Sequence, residues 1–206
     1  MHDTPPSLRS VSTPADGHSF ARAWRTVAEL RPDRTAVVCG DRRLTFGELD
    51  ARANQLAHVL RDAGVRPDDK VAIMCVNSTE YVEAFFATQK LGAVPVNVNY
   101  RYVGAELAYL LDNSDAAAVV FHDEFGPTVA DALAELPADR RPGLLLQVAH
   151  AGDGALLDGA RDYTETVRAA PADAATDRTP SGDDLIFVYT GGPSATTTRT
   201  GRRSAT

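Results

Sequence analysis

Lysine is nearly missing from this 206-residue chain: Lys70 and Lys90 are the only two, and arginine supplies the rest of the positive charge. With abundant Ala, Asp, Pro, Gly and Val, this usage points to a GC-rich coding sequence. Positive charge is itself in deficit, since the formal net charge is -7. That balance argues against a nucleic-acid surface or an anionic-membrane surface, both of which need a basic patch. Cysteine is scarce too. Cys39 and Cys75 stand far apart in apolar, strand-like surroundings, which excludes a disulfide framework and fits no zinc spacing. No apolar run approaches the roughly 18 residues of a membrane span. The opening stretch has no apolar h-region of a secretory signal, so a cytoplasmic location is expected. There is no G-x-S-x-G elbow and no Walker loop. The five histidines, His2, His18, His58, His122 and His150, show no paired metal spacing. Each reads as a surface or satisfied-core residue, and His122 stands out only because it ends a strand.

What is present is an ordinary globular balance, with 44% hydrophobic and 24% charged residues. Residues 1–18 are rich in Pro, Ser and Asp and read as a flexible arm. Phe20, Trp24, Val27 and Leu30 have the spacing of an amphipathic helix over 19–30. Residues 35–46 read as a hairpin turning at Gly40-Asp41. Thr45 then opens a helix, with Glu48 three residues on as a capping box and Leu49, Ala53, Leu56, Ala57 and Leu60 as its apolar face. Gly64 is the expected left-handed cap. "KVAIMCV" (70–76) has the continuous apolar character of a strand buried on both faces. Asn77 with Glu80 is the expected cap of the next helix, which should stop at Gly92. Strands are predicted at 93–98, 116–121, 143–149 and 184–190, and helices at 104–114 and 123–136. Pro95 marks an edge strand or a strand start. A loop over 151–183 should hold one short helix near Arg161–Ala169. Such alternation predicts an α/β fold with a mostly parallel, doubly wound sheet and flanking helices.

In such sheets ligands gather beyond the carboxyl ends of strands. "VYTGG" (188–192) lies at one, where small residues would let backbone amides approach a phosphate and Thr190 could add a hydroxyl. Taken alone, Thr190-Gly191-Gly192 reads first as an ordinary turn. Tyr81, Phe85 and Phe86 sit at core spacing on a helix, and "NYRY" (99–102) reads as a loop anchored by two half-buried tyrosines.

The stretch from "LTFGEL" through "KLGAVPVNVNYR" (44–101), extended to Phe121, closely resembles the N-terminal part of AMP-binding adenylate-forming enzymes. These are the acyl-CoA synthetases and their relatives among peptide-synthetase adenylation domains and luciferases. The resemblance spans about residues 20–192 and is nearest to a fatty- or carboxylic-acid:CoA ligase. It implies ATP, Mg2+ and CoA as cofactors, a carboxylic or fatty acid substrate, and an acyl-adenylate followed by an acyl-CoA. It also makes Tyr189, Thr190, Gly191 and Gly192 the first four positions of the family's ATP phosphate-binding loop.

The pattern then breaks. Where the family continues Thr-Thr-Gly-x-Pro-Lys-Gly, this chain reads "PSATTTRTGRRSAT", with no large apolar residue after Tyr189. The expectation is an incomplete AMP-binding domain over 19–192 and a disordered basic tail over 193–206, read out of frame after a frameshift near codon 192. A short insertion, with residues 197–203 imitating the lost half of the loop, is the other reading. No residue is assigned a catalytic or metal-binding role. The expected function is that of an inactive N-terminal fragment of an acid:CoA ligase. A non-catalytic acyl- or nucleotide-binding module, and a half-enzyme complemented by a C-terminal partner chain, are the alternatives.

Overall fold

The computed structural model describes residues 19–152, 154–176 and 178–189. The expected arm (1–18), the basic tail and the Thr190-Gly191-Gly192 turn lie outside the described residues. Helix α1 (Phe20–Leu30) precedes the hairpin β1 (Thr35–Cys39) and β2 (Arg42–Thr45), and α2 (Phe46–Asp62) follows. Then come β3 (Lys70–Met74), α3 (Thr79–Lys90), β4 (Val94–Asn97), α4 (Gly104–Ser114) and β5 (Ala116–His122). A 3-10 turn (Asp123–Phe125) leads into α5 (Gly126–Glu135) and β6 (Leu144–Val148). The last described elements are β7 (Arg161–Asp162), α6 (Tyr163–Ala169) and β8 (Phe187–Val188).

Strands β3 to β8 form one sheet in the order β7-β6-β5-β3-β4-β8, with every neighbouring pair parallel. Parallel pairing forces a crossover between strands, and the crossovers cover both faces. Alternate residues of each strand therefore enter two cores. Val71, Ile73, Val120 and Leu146 pack with Leu56 and Leu60 of α2, Ala84 and Ala87 of α3, and Tyr163 of α6. Ala72, Met74, Val119 and Phe121 pack with Leu107, Leu110 and Leu111 of α4 and Val129 and Ala132 of α5.

Local chemistry sets the boundaries. Thr45 caps α2 by accepting the Glu48 N–H (3.2 Å), and the Glu48 carboxylate accepts the Thr45 N–H (2.8 Å). All five residues of the expected apolar face of α2 have no exposed surface. Helix α3 is capped by Ser78, which accepts the Tyr81 N–H at 3.2 Å, and not by Asn77. Both residue types cap well, so only the backbone path out of β3 decides between them. In α1 the docked edge is Ala21 and Ala28 with Trp24, whose ring stacks on Phe86 at 4.1 Å and meets Phe46 at 5.0 Å. Phe20 and Leu30, expected on the buried face, are 67% and 69% exposed.

Pro95 lies inside the sheet, paired with Val71 on the β3 side. The N–H groups of Val94 and Val98 donate to Asp69 and Ile73, so the odd position between them turns away from β3, toward β8. Pairing with β8 begins only at Val96. No ladder bond is asked of the nitrogen that lacks a proton.

Candidate functional site

The chain approaches Thr190, Gly191 and Gly192 through β8, and three contacts hold that approach. Strand β8 pairs with β4 at Val96–Phe187 and Asn97–Val188. Tyr189 donates its hydroxyl to Asn113 Oδ1 at 2.9 Å. Arg178 pairs with Asp184 through both guanidinium nitrogens, one of them at 3.1 Å, and the carboxylate also accepts the Ser181 N–H at 2.9 Å. Burial works against the charge on Asp184, but the Arg178 and Ser181 hydrogen bonds outweigh it and hold its pKa below the usual range. Gly92 makes room for this pair: a Cβ there would run into the Arg178 guanidinium, and its φ of +69° suits glycine.

The loop before β8 is strapped down by the polar side of α2. Asn54 Nδ2 and Gln55 Nε2 donate to the carbonyls of Ala172 and Ala170, each at 3.0 Å. His58 Nε2 lies 3.0 Å from the Asp173 carbonyl, and Arg61 donates to the Ala175 carbonyl at 2.6 Å. Positions 54, 58 and 61 share one face of a helix, so one stripe of side chains sets the path of a loop more than 100 residues later. His58 is thus a satisfied structural histidine, as the sequence predicts.

Beneath it, the carboxylate of Glu83, fully buried on α3, accepts the Tyr163 hydroxyl (2.7 Å) and both the Nε and Nη2 of Arg52, the latter at 3.0 Å. Burial, and then the neighbouring Glu83 charge, push the Tyr163 phenol well above its ordinary pKa. Burial also opposes the charge on Arg52, but the Glu83 hydrogen bond and the charge attraction of Glu83 and its neighbours together outweigh it and raise the Arg52 pKa. This network joins α2, α3 and α6. Sequence reading missed it because its members are far apart in the chain, and a lone Glu in "YVEAFFA" was the only sign.

The carboxyl ends of β4, β5 and β6 gather the remaining polar groups. Asn97 Oδ1 accepts the Tyr81 hydroxyl at 3.2 Å. In the "NYRY" segment the Tyr102 N–H closes a turn on the Asn99 carbonyl, while Tyr100 is 44% exposed and stacks toward Phe125. His122 is fully buried, its ring parallel to that of His150. Burial, and then the neighbouring His150, lower the His122 pKa, so the ring stays neutral near pH 7.

Among the described residues this end of the sheet offers no cradle for a triphosphate. Lys90 lies elsewhere, bound to Asp50 at 2.7 Å. The charged side chains beside His122 are Asp123 and Glu124, which repel phosphate. The residues that would make the cradle, Thr190, Gly191 and Gly192, lie outside the described residues.

A parallel sheet with both faces covered by helices defines an open α/β domain, the class in which ligands gather beyond the carboxyl ends of the strands. Residues 24–197 match the AMP-binding enzyme family, and the chain belongs to that family. It is 41% identical over 161 residues to a Mycobacterium tuberculosis medium/long-chain-fatty-acid–CoA/3-oxocholest-4-en-26-oate–CoA ligase, covering 78% of this chain and 29% of that protein. A Mycobacterium avium medium-chain acyl-CoA ligase, Mig, is 36% identical over 181 residues, covering 82% and 32%. The fold superimposes on the Mycobacterium tuberculosis fatty acyl CoA synthetase with a TM-score of 0.65 at 30% identity, over 83% of this chain and 32% of that one. An anthranilate CoA ligase in complex with anthranoyl-AMP shares the fold at a TM-score of 0.75 and 24% identity, over 87% and 33%. The chain spans about a third of the length of these relatives. No helix among the described residues is long and apolar enough to cross a membrane.

Proposed function

We propose that this chain supplies the N-terminal scaffold of an ATP-dependent ligase joining a hydrophobic carboxylic acid to CoA, and that these 206 residues do not form an acyl-adenylate by themselves. The substrate class is a fatty acid or a steroid side-chain acid, the acids named for the relatives at about 40% identity. The observation that carries the reading is the match to these ligases over most of this chain and under a third of theirs. ATP, Mg2+ and CoA are the cofactors implied for the whole ligase.

ATP–pyrophosphate exchange with a panel of medium- and long-chain fatty acids and 3-oxocholest-4-en-26-oate tests this. The purified chain should give no exchange above a heat-treated control. Adding the remaining two thirds of a close relative as a separate polypeptide should restore it. Exchange by the chain alone would overturn the reading of inactivity, and failure of every complementing segment would count against the scaffold.

A further inference from the structure

Three side chains with metal-ligating atoms meet where β5 and β6 end. These are His122, Glu124 and His150, whose ligand atoms lie within 4.8 Å of one another. The chain separates the two histidines by a helix and a strand. The parallel pairing of His122 with Val148 brings them back together. Their rings stack with centroids 4.2 Å apart and planes 4° apart, and His150 Nδ1 is 3.4 Å from a Glu124 carboxylate oxygen.

The backbone under this cluster is fixed by one atom. Asp123 Oδ1 accepts the N–H groups of Glu124 (2.9 Å), His150 (3.0 Å), Ala151 (3.2 Å) and Gly152 (2.9 Å). It ties the end of β5 to the loop after β6. A Cβ on Gly152 would come within 2.8 Å of Asp123 Cγ and 2.9 Å of the Glu124 nitrogen, so the clamp closes only around glycine. His122 has no exposed surface, and its Nε2 has no hydrogen-bond partner. Buried polar atoms are rarely left so. Its Nδ1 accepts the Val76 N–H at 3.3 Å, so in the metal-free chain Nε2 carries the ring proton and has no acceptor.

We propose that His122, Glu124 and His150 form a binding site for a divalent transition-metal ion of the zinc type. Two imidazole nitrogens and a carboxylate oxygen are the donor set of zinc sites that keep a fourth position open. His150 is the exposed member and gives the ion its way in. Binding makes two local changes. His150 turns out of the stack, because the lone pairs of parallel rings do not converge. The proton of neutral His122 moves from Nε2 to Nδ1, which gives up the long contact with the Val76 N–H in exchange for a metal–nitrogen bond. The ring's proton count does not change. None of these residues is Thr190, Gly191 or Gly192, so the site stands apart from the ligase reading.

Titration of the full chain with Zn2+ against a chromophoric chelator tests the site. One ion per chain should bind, at least tenfold more weakly in His150→Ala and in Glu124→Gln, with melting of the metal-free variants unchanged. His122 is in the core, so its part is read without mutation: 15N NMR should show zinc moving its ring proton to Nδ1. Equal affinity in the wild type and His150→Ala would place the ion elsewhere on the chain and overturn the proposal. A His122 ring spectrum indifferent to zinc would also overturn it.

Discussion

Protonation of Asp123 would remove the acceptor that four backbone N–H groups share. Burial opposes its charge, but the N–H groups of Gly152, His150, Glu124 and Ala151 outweigh that and hold the carboxyl below the ordinary aspartate range. With the folded pKa below the unfolded one, the carboxylate's contribution to stability is fully present above the unfolded value, near 4. It is lost as pH falls through the depressed native value. Asp184, held in the same direction beside Arg178, adds to the slope. The melting temperature should therefore drop between about pH 5 and about pH 3. Asp123→Asn should start lower and fall less over the same window, as followed by circular dichroism. A slope unchanged by the substitution would remove Asp123 from the account. At this scale, what the sequence reveals depends on chain distance. The Thr45–Glu48 box spans three residues and is legible. The Asp123 clamp and the Glu83–Tyr163 hydrogen bond join positions 27 to 80 residues apart, and no local pattern announces them.

The elements divide in the same way. In α2 the apolar period is unambiguous, and Leu49, Ala53, Leu56, Ala57 and Leu60 are all fully buried. In α1 the period misleads, because the large apolar residues Phe20 and Leu30 look outward while two alanines and Trp24 make the contact. A hydrophobic stripe gives the helix but not its neighbour, and small residues allow the closer approach. Truncating Leu56 to alanine should cost about 2–5 kcal/mol in denaturant unfolding. Leu30→Ala, at a surface position, should stay within about 0.5 kcal/mol of wild type. A large loss at Leu30 would mean that its face is covered in solution.

Across the whole molecule, strand and helix alternation made the parallel α/β architecture legible, but not the order of strands. That order depends on which crossovers turn back, and no single segment encodes it. Thr190, Gly191 and Gly192 lie outside the described residues, so the loop that the resemblance implies there stays an expectation. Central strands β3 and β5 are paired on both sides and enclosed by both cores, whereas β8 is held by two residue pairs at one edge. Native-state hydrogen exchange should be slowest at Val71–Ile73 and Val119–Val120 and fastest, among sheet amides, in the two-residue edge strands β7 and β8. Uniform protection would contradict this gradient.

The position of Pro95 has a consequence for synthesis. Val96 and Phe187, partners in the finished sheet, lie 91 residues apart. At ribosomal speeds of about 5–20 residues per second, β4 waits roughly 5–18 s for the strand that will cover it. Throughout that delay its outer side is an open edge, the kind on which neighbouring nascent chains pair. Proline at that side withholds one donor from any stranger while costing the native partner nothing, so it protects the edge of a protein not yet fully made.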